Sequence, residues 1–278
     1  MSTESTLTGK ASDVAGAARQ GADSRAVGWA ARLGLAARGV VYLLLGLLAV
    51  LVAGGQRAEV DQKGVMQQVI ARPFGGIVVA LLALGFVGYA LWRVSEAAFG
   101  VTGAKPGPGP RLRSLGRGLA YGFFAFTAVS LLLGGSRTPQ SSQQKSLTAQ
   151  VMQHTGGRWL VGAIGAGVVV LGLTLAVEGM RLTFMRYFPA ESLPHAARSV
   201  VKELGRVGGV CRGAVFALAG ALVVAAAWTY DPGKATGLDG ALKALRDQPY
   251  GPLLLGVAAV ALIIFGVYGL AEAVYRRV

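Results

Sequence analysis

The residues that could do chemistry in this chain are arginines and glutamates near the ends of long apolar runs. Each of three runs begins near an Arg-Gly pair, with another arginine six residues before it and an aromatic residue four residues after its arginine. The pairs are Arg38-Gly39, Arg117-Gly118 and Arg212-Gly213. The run that follows each of these ends at a glutamate, namely Glu96, Glu178 and Glu272. Charges inside a membrane span are costly unless they have partners, so these residues call for an arrangement that neutralises them.

Two arrangements of these charges are compatible with the pattern. In a helical hairpin the start of the first helix and the end of the second lie on the same membrane face. This predicts structural pairs within each unit: Arg38 with Glu96, Arg117 with Glu178, and Arg212 with Glu272. In the alternative, all six charges gather around a central axis and form a cytoplasmic gate or an anion site. The structural pairs are favoured because every unit supplies one charge of each sign.

A second signature shows that the chain is an internal repeat. Pro73-Phe74-Gly75 and Pro249-Tyr250-Gly251 each start 23 residues before the closing glutamate, whereas the middle unit has Thr155 in place of the proline. Repetition with a fixed period indicates repeated supersecondary units. We therefore predict repeats at residues 25–102, 103–188 and 189–278, the middle one degenerate. Residues 1–24 lack an apolar segment and are interpreted as a disordered cytoplasmic tail.

Composition indicates which solvent surrounds these units. Of the 278 residues 53% are hydrophobic and 14% are charged, against about 25% charged in an average soluble domain. Six apolar runs are each long enough to cross a bilayer as a helix. They are residues 33–53, 75–99, 115–134, 159–180, 207–228 and 252–275. The predicted fold is all-α: a polytopic membrane protein whose six transmembrane helices form three parallel hairpins with pseudo-threefold symmetry.

Charge in the connections predicts the orientation. Alternate connections, counted with both termini, hold 18 Lys and Arg residues, against 9 in the other connections. By the positive-inside rule both termini face the cytoplasm. The net charge of +14 then needs no nucleic acid to explain it, and the expected partners are the bilayer and the anionic lipid headgroups of its cytoplasmic side.

Periodicity assigns packing roles to further residues. Tyr89 and Trp92 lie on the face of Glu96, and Phe265 and Tyr268 repeat that spacing before Glu272, which favours packing or an interfacial belt over a ligand site. Small-residue stripes predict close helix contacts at Gly39, Gly46, Gly118, Gly122, Gly213 and Gly220. Short amphipathic helices are expected near residues 64–71, 146–153 and 238–245, and a basic amphipathic helix after Pro194 carries Arg198, Lys202 and Arg206.

Catalytic chemistry has little support. His154 and His195 are expected on opposite sides of the membrane, Cys211 is the only cysteine, and no H-E-x-x-H or C-x-x-C motif occurs. We therefore expect no enzyme activity, no metal and no cofactor.

The repeated Arg-Gly-x-x-aromatic motif, with the Pro-aromatic-Gly signature and the terminal glutamate, resembles the bacterial membrane family catalogued as domain of unknown function 1206. The resemblance covers about residues 25–278, with Thr155 and Leu171 as departures in the middle unit. It implies the three-unit, six-helix fold in a bacterial inner membrane and brings no activity. Two classes of function remain: a membrane-embedded scaffold or binding module, which is favoured, and a channel or transporter along the repeat axis gated by the Arg and Glu groups.

Overall fold

The computed structural model describes residues 25–56, 58–100, 107–135, 138–188 and 195–276, with side chains from Gly28 and from Ala197 in the first and last segments. The predicted tail, residues 1–24, lies outside the described residues. The long helices are α1 (Arg25–Ala53), α3 (Gly75–Phe99), α4 (Pro108–Leu132), α6 (Gly157–Met180), α7 (His195–Thr229) and α9 (Gly251–Tyr275). Three short helices connect them: α2 (Gln62–Ile70), α5 (Gln140–Met152) and α8 (Gly237–Arg246).

Six helices are long and apolar enough to cross a membrane, which confirms the predicted all-α, six-span architecture. The short helices α2, α5 and α8 also lie where the sequence predicts them. The basic segment after Pro194 differs from the prediction, because it is the first part of α7 and not a separate helix. The glycines that follow it do not break the helix. Gly205 and Gly208 instead let Phe184 and Phe265 pack directly against its backbone.

The long helices run alternately up and down, so the bundle has two different ends. We call the end where α1 begins and α9 finishes the terminal end, and the end that carries α2, α5 and α8 the hairpin end. The most extensive packing joins neighbouring repeats: α1 with α9, α3 with α4, and α6 with α7. Within repeats, α1 packs on α3 and α7 packs on α9. The order around the bundle is therefore α1, α3, α4, α6, α7, α9.

This ring is incomplete in the middle repeat. Among the described residues, α4 and α6 make no extensive contact with each other, unlike the two helices of either other repeat. We call the space between α4 and α6 the middle-repeat opening. In the most apolar 18-residue stretch of α6 only 17% is buried, against 61% in the corresponding stretch of α1. The outward surface of the middle repeat is therefore left to the surrounding lipid.

Glycines set the closest helix contacts. A Cβ atom on Gly39 would lie 2.9 Å from the carbonyl oxygen of Gly266 on α9, and one on Gly213 would lie 2.5 Å from the backbone nitrogen of Ala176 on α6. Such approaches are open only to glycine. Gly46 and Gly220 lie at similarly close contacts, and Gly118 packs more loosely against Val94. Gly122 is different: within the described chain no heavy atom lies within 4 Å of a Cβ placed there, so its predicted packing role is wrong.

The Pro-aromatic-Gly signature is the turn from a short helix into the next span. Phe74 and Tyr250 both have a φ of 61°, and Gly156 takes the same role in the middle repeat with a φ of 81°. The glycine that follows is held tightly in every repeat. A Cβ atom at Gly75, Gly157 or Gly251 would lie 1.8, 1.7 or 1.7 Å from a carbonyl oxygen of the short helix. The turn therefore requires glycine at this position, whether or not the proline is present.

The short helices tie the repeats together at the hairpin end. Asp61 caps α2 by accepting a hydrogen bond of 2.8 Å from the backbone N–H of Gly64, and Asp239 accepts one of 3.0 Å from the N–H of Val60. Lys63 donates to the carbonyl of Thr138 at 2.6 Å. Burial, and then the charge of Asp239, raises the pKa of Asp61 above its ordinary 3.8, although the hydrogen bond from Gly64 opposes this.

The hairpin half of the bundle has a packed apolar core. A single cluster of buried side chains includes Leu45 and Val52 of α1, Phe86 of α3, Ala128 of α4 and Leu262 of α9. Val65 and Met66 of α2 are fully buried in the same cluster. The buried polar side chains of the spans instead lie in the terminal half.

Candidate functional site: an arginine-lined cavity

A cavity of about 110 Å³ lies in the terminal half of the bundle, where the three repeated arginines converge. Its lining includes Glu178, Glu272 and seven arginines, an excess of five positive formal charges. The arginines are Arg38, Arg93, Arg113, Arg117, Arg186, Arg212 and Arg276. Counting Glu96, which lies behind Arg93, still leaves an excess of four. We call this site the arginine cavity.

Glu272 is the hub of one buried network. Its carboxylate accepts a hydrogen bond from Nη2 of Arg38 on one oxygen and a 2.7 Å hydrogen bond from Nη1 of Arg276 on the other. All three residues are almost completely buried. The network joins the first and third repeats, because Arg38 is on α1 and Glu272 is on α9. One carboxylate thus neutralises only part of the charge of two guanidinium groups.

Glu96 belongs to a second buried network, between α3 and α4. One of its oxygens accepts hydrogen bonds from Arg93 at 2.5 Å and from the hydroxyl of Ser114 at 2.9 Å. Arg93 also donates to the hydroxyl of Tyr89 at 2.8 Å and lies over the ring of Trp92, 4.1 Å from its centroid. These contacts offset the cost of burying a charged side chain that is only 1% exposed.

The other two repeated arginines are paired less completely. Arg212 donates from Nε to the hydroxyl of Tyr42 at 2.8 Å and lies over the ring of Phe265. Among the described residues no carboxylate forms an ion pair with Arg117 or Arg212. The electrostatic neighbours of Arg117 include the like charges of Arg93 and Arg212. Both residues therefore lack the carboxylate contact that Glu272 provides to Arg38 and Arg276.

The predicted pairing within each repeat is wrong in its partners. Arg38 binds Glu272 and not Glu96, whose partner is Arg93 of its own helix. Glu178 binds Arg113, one turn before Arg117, at 2.6 Å. The physical reason is the ring order, which packs α1 against α9 more closely than against α3. The repeated arginines do converge around one cavity, as the alternative arrangement has it, while Glu96 lies outside its lining.

Aromatic rings form the walls beside these charges. Tyr89, Phe265 and Tyr268 line the cavity, and Trp92 is buried beside Tyr89 with the ring centroids 5.5 Å apart. Their faces meet guanidinium groups: Arg38 lies 5.5 Å from the ring centroid of Phe265. The equivalent positions of the middle repeat are Leu171 and Thr174, both exposed. The aromatic wall therefore stops at the middle-repeat opening.

Sequence reasoning missed four contributors to the site. Arg93, Arg276, Arg113 and Ser114 are not among the predicted site residues, yet each hydrogen-bonds one of the three glutamates. A usable signal was the spacing of Arg93 three residues before Glu96 and of Arg276 four residues after Glu272, which places each pair on one helix face.

The remaining candidates for metal binding or nucleophilic catalysis are the histidines and the single cysteine. No group of three or more His, Cys, Asp or Glu side chains able to hold a metal occurs in the parts of the chain that are described. Cys211 is half-buried on α7. His154 lies at the hairpin end, while the side chain of His195 is outside the described set.

The fold and the site define a class: a multi-pass helical membrane protein with three tandem two-helix repeats around a basic cavity. The family model described as Domain of Unknown Function (DUF1206) matches three times, at residues 33–100, 113–181 and 207–276, and the chain belongs to this family. It is also similar to the Uncharacterized protein YxxB of Bacillus subtilis (strain 168), with 31% identity over 249 residues that cover 88% of this chain and 90% of the relative. No solved structure matches the chain.

Proposed function

We propose that the protein is a non-catalytic binding module of the bacterial inner membrane that holds an anionic ligand in the arginine cavity. The observation that supports this is the excess of five positive charges in a cavity of about 110 Å³. Uncompensated charge in a low-dielectric site is costly, and a bound anion would offset that cost. Arginine suits this role, because its planar fork binds carboxylate and phosphate oxygens in pairs.

The cavity faces the cytoplasm in this proposal, as the distribution of Lys and Arg predicts. We expect a single cysteine replacing Ser5 to react with a membrane-impermeant maleimide only after the inner face is exposed. A cysteine replacing Ser141 of α5 should react in intact cells or right-side-out vesicles. Both variants are made in a Cys211→Ala background, since Cys211 is the only native cysteine. Reaction of both positions from the same side would contradict the proposed orientation.

A conducting pathway is the alternative, and the packing of the hairpin half argues against it. The cavity lies at one end of a bundle whose other half contains buried apolar side chains such as Leu45, Val52 and Leu262. A pore would need groups that replace the hydration shell of an ion. We therefore expect liposomes containing the protein to show no flux of K⁺, Na⁺, Cl⁻ or protons above protein-free liposomes, at either sign of the membrane potential.

The Glu178→Gln variant tests in the same flux experiment whether this carboxylate acts as a gate. This residue forms a partly exposed pair, so its neutralisation should leave the fold intact. The flux should stay at the background level. A reproducible current that Glu178→Gln abolishes would contradict the binding function and show a gated pathway instead.

A further inference from the structure

We propose that the ligand of the arginine cavity is the phosphate monoester headgroup of a membrane lipid, with its acyl chains lying in the middle-repeat opening between α4 and α6. This inference rests on the binding function proposed above. It adds the chemical class of the ligand and the route by which it reaches the cavity.

The size of the cavity restricts the headgroup. A volume of about 110 Å³ holds several water-sized groups, since one water needs roughly 10–15 Å³ on this scale. A bare phosphate is compact enough for this space. A phosphate that carries a glycerol or a sugar would have to place that second group outside the cavity.

The charge of the lining favours a monoester over a diester. A phosphate monoester carries about −1.5 to −2 charges near neutral pH, whereas the diester of an ordinary phospholipid carries a single negative charge. Arg117 and Arg212 line the cavity and have no carboxylate partner among the described residues. Phosphate oxygens can accept hydrogen bonds from several guanidinium groups at once.

The ring geometry gives the acyl chains a place beside the headgroup. Leu175 of α6 lines the cavity, and the helical stripe through it continues along α6 to Leu171 and Ile164, which are 42% and 56% exposed. On the other side of the opening, α4 supplies Arg113, Arg117 and Tyr121 to the lining. A lipid could therefore place its phosphate among the arginines while its tails stay in the bilayer.

The experiment measures the thermal unfolding midpoint of purified protein in phosphatidylcholine nanodiscs. One set contains a minor fraction of phosphatidic acid, a second set the same fraction of phosphatidylglycerol, and a third set neither. A separate arm adds inorganic phosphate to protein in neutral detergent. Arg117→Gln is compared with Arg111→Gln, which removes an exposed charge from the same helix outside the cavity. Leu171→Trp is compared with Leu173→Trp, which lies on the opposite face of α6 by helical periodicity.

We expect phosphatidic acid to raise the midpoint more than phosphatidylglycerol does, and inorganic phosphate to have little effect. Arg117→Gln should weaken the response to phosphatidic acid by about tenfold in apparent affinity, the cost of one charge-assisted hydrogen bond. Arg111→Gln should leave it within about twofold, because an exposed charge contributes little. Leu171→Trp should weaken the lipid response, whereas Leu173→Trp should not.

Each other outcome overturns a defined part of the proposal. Stabilisation by inorganic phosphate that depends on Arg117 but not on Leu171 would keep the binding function and exclude the lipid. Equal stabilisation by both anionic lipids, unchanged by Arg117→Gln, would assign the effect to general surface charge. The absence of any anion effect would remove the binding function itself. If Arg117→Gln does not fold, the comparison of Leu171→Trp with Leu173→Trp still decides between lipid and free anion.

Discussion

Replacing Glu272 by glutamine should destabilise the folded protein by about 3–5 kcal/mol, the cost typical of removing one partner from a buried ion pair. Among the described residues, Glu272 is the only carboxylate that contacts Arg38 and Arg276, and all three side chains are nearly inaccessible. Without its charge, two buried guanidinium groups of like sign would face each other. The measurement is the unfolding free energy from denaturant titration in detergent.

Glu178→Gln is the matched control, because it changes the equivalent position of the middle repeat. Glu178 and its partner Arg113 have side chains that are 32% and 51% exposed, so this change should cost no more than about 1 kcal/mol. If the two variants lose the same stability, the buried network does not support the fold.

A double-mutant cycle identifies the partner of Arg38. The Arg38→Gln change combined with Glu272→Gln should restore a large part of the loss, because the double variant leaves fewer unpaired buried charges. The same arginine change combined with Glu96→Gln should be close to additive, since Glu96 is bound by Arg93 and Ser114. Coupling of Arg38 to Glu96 but not to Glu272 would show that the pair forms within the repeat after all.

Periodicity and repetition were enough to predict the spans, but they could not predict their neighbours. An apolar run of at least 20 residues has one stable solution in lipid, and the repeated signature places the three Arg-Gly pairs at one end of the bundle. Which helix packs against α1 depends on close backbone approach at sites such as Gly39 against Gly266. A glycine stripe in the sequence shows that close contact occurs without naming the partner helix. For this reason the partner of Arg38 was assigned to the wrong repeat.

The middle repeat shows which sequence departures have structural consequences. Thr155 replaces the proline of the turn signature, yet the turn is preserved because Gly156 supplies the positive φ and Gly157 the close approach. Leu171 and Thr174 replace an aromatic pair, and here the ring of helices is open. In the other repeats the equivalent rings of Tyr89 and Phe265 are buried in the interior. Loss of these two rings removes apolar volume between α4 and α6. The sequence alone shows only that the middle repeat departs from the pattern of the other two.

The turn signature leads to the second large effect, at Gly251. This residue begins α9, and an added Cβ atom would lie 1.7 Å from the carbonyl oxygen and 2.3 Å from the carbonyl carbon of Arg246. Backbone atoms cannot move aside as the end of a flexible side chain can, so α8 would have to separate from α9. We expect Gly251→Ala to cost about 4 kcal/mol or more, in the range reached only by severe steric or buried-charge defects. The same denaturant titration in detergent measures this loss.

Gly256 provides the control on the same helix, because no described heavy atom beyond its own helical turn lies within 4 Å of a Cβ placed there. Alanine is a better helix former than glycine, so Gly256→Ala should leave the stability unchanged or raise it by up to about 1 kcal/mol. The two substitutions make the same chemical change five residues apart, but only Gly251→Ala should lower the stability. Gly75→Ala should repeat the loss in the first repeat, where a Cβ would lie 1.8 Å from the carbonyl oxygen of Val69. If Gly251→Ala and Gly75→Ala are as well tolerated as Gly256→Ala, the turn does not hold the short helices against the spans, and the glycine of the signature has another role.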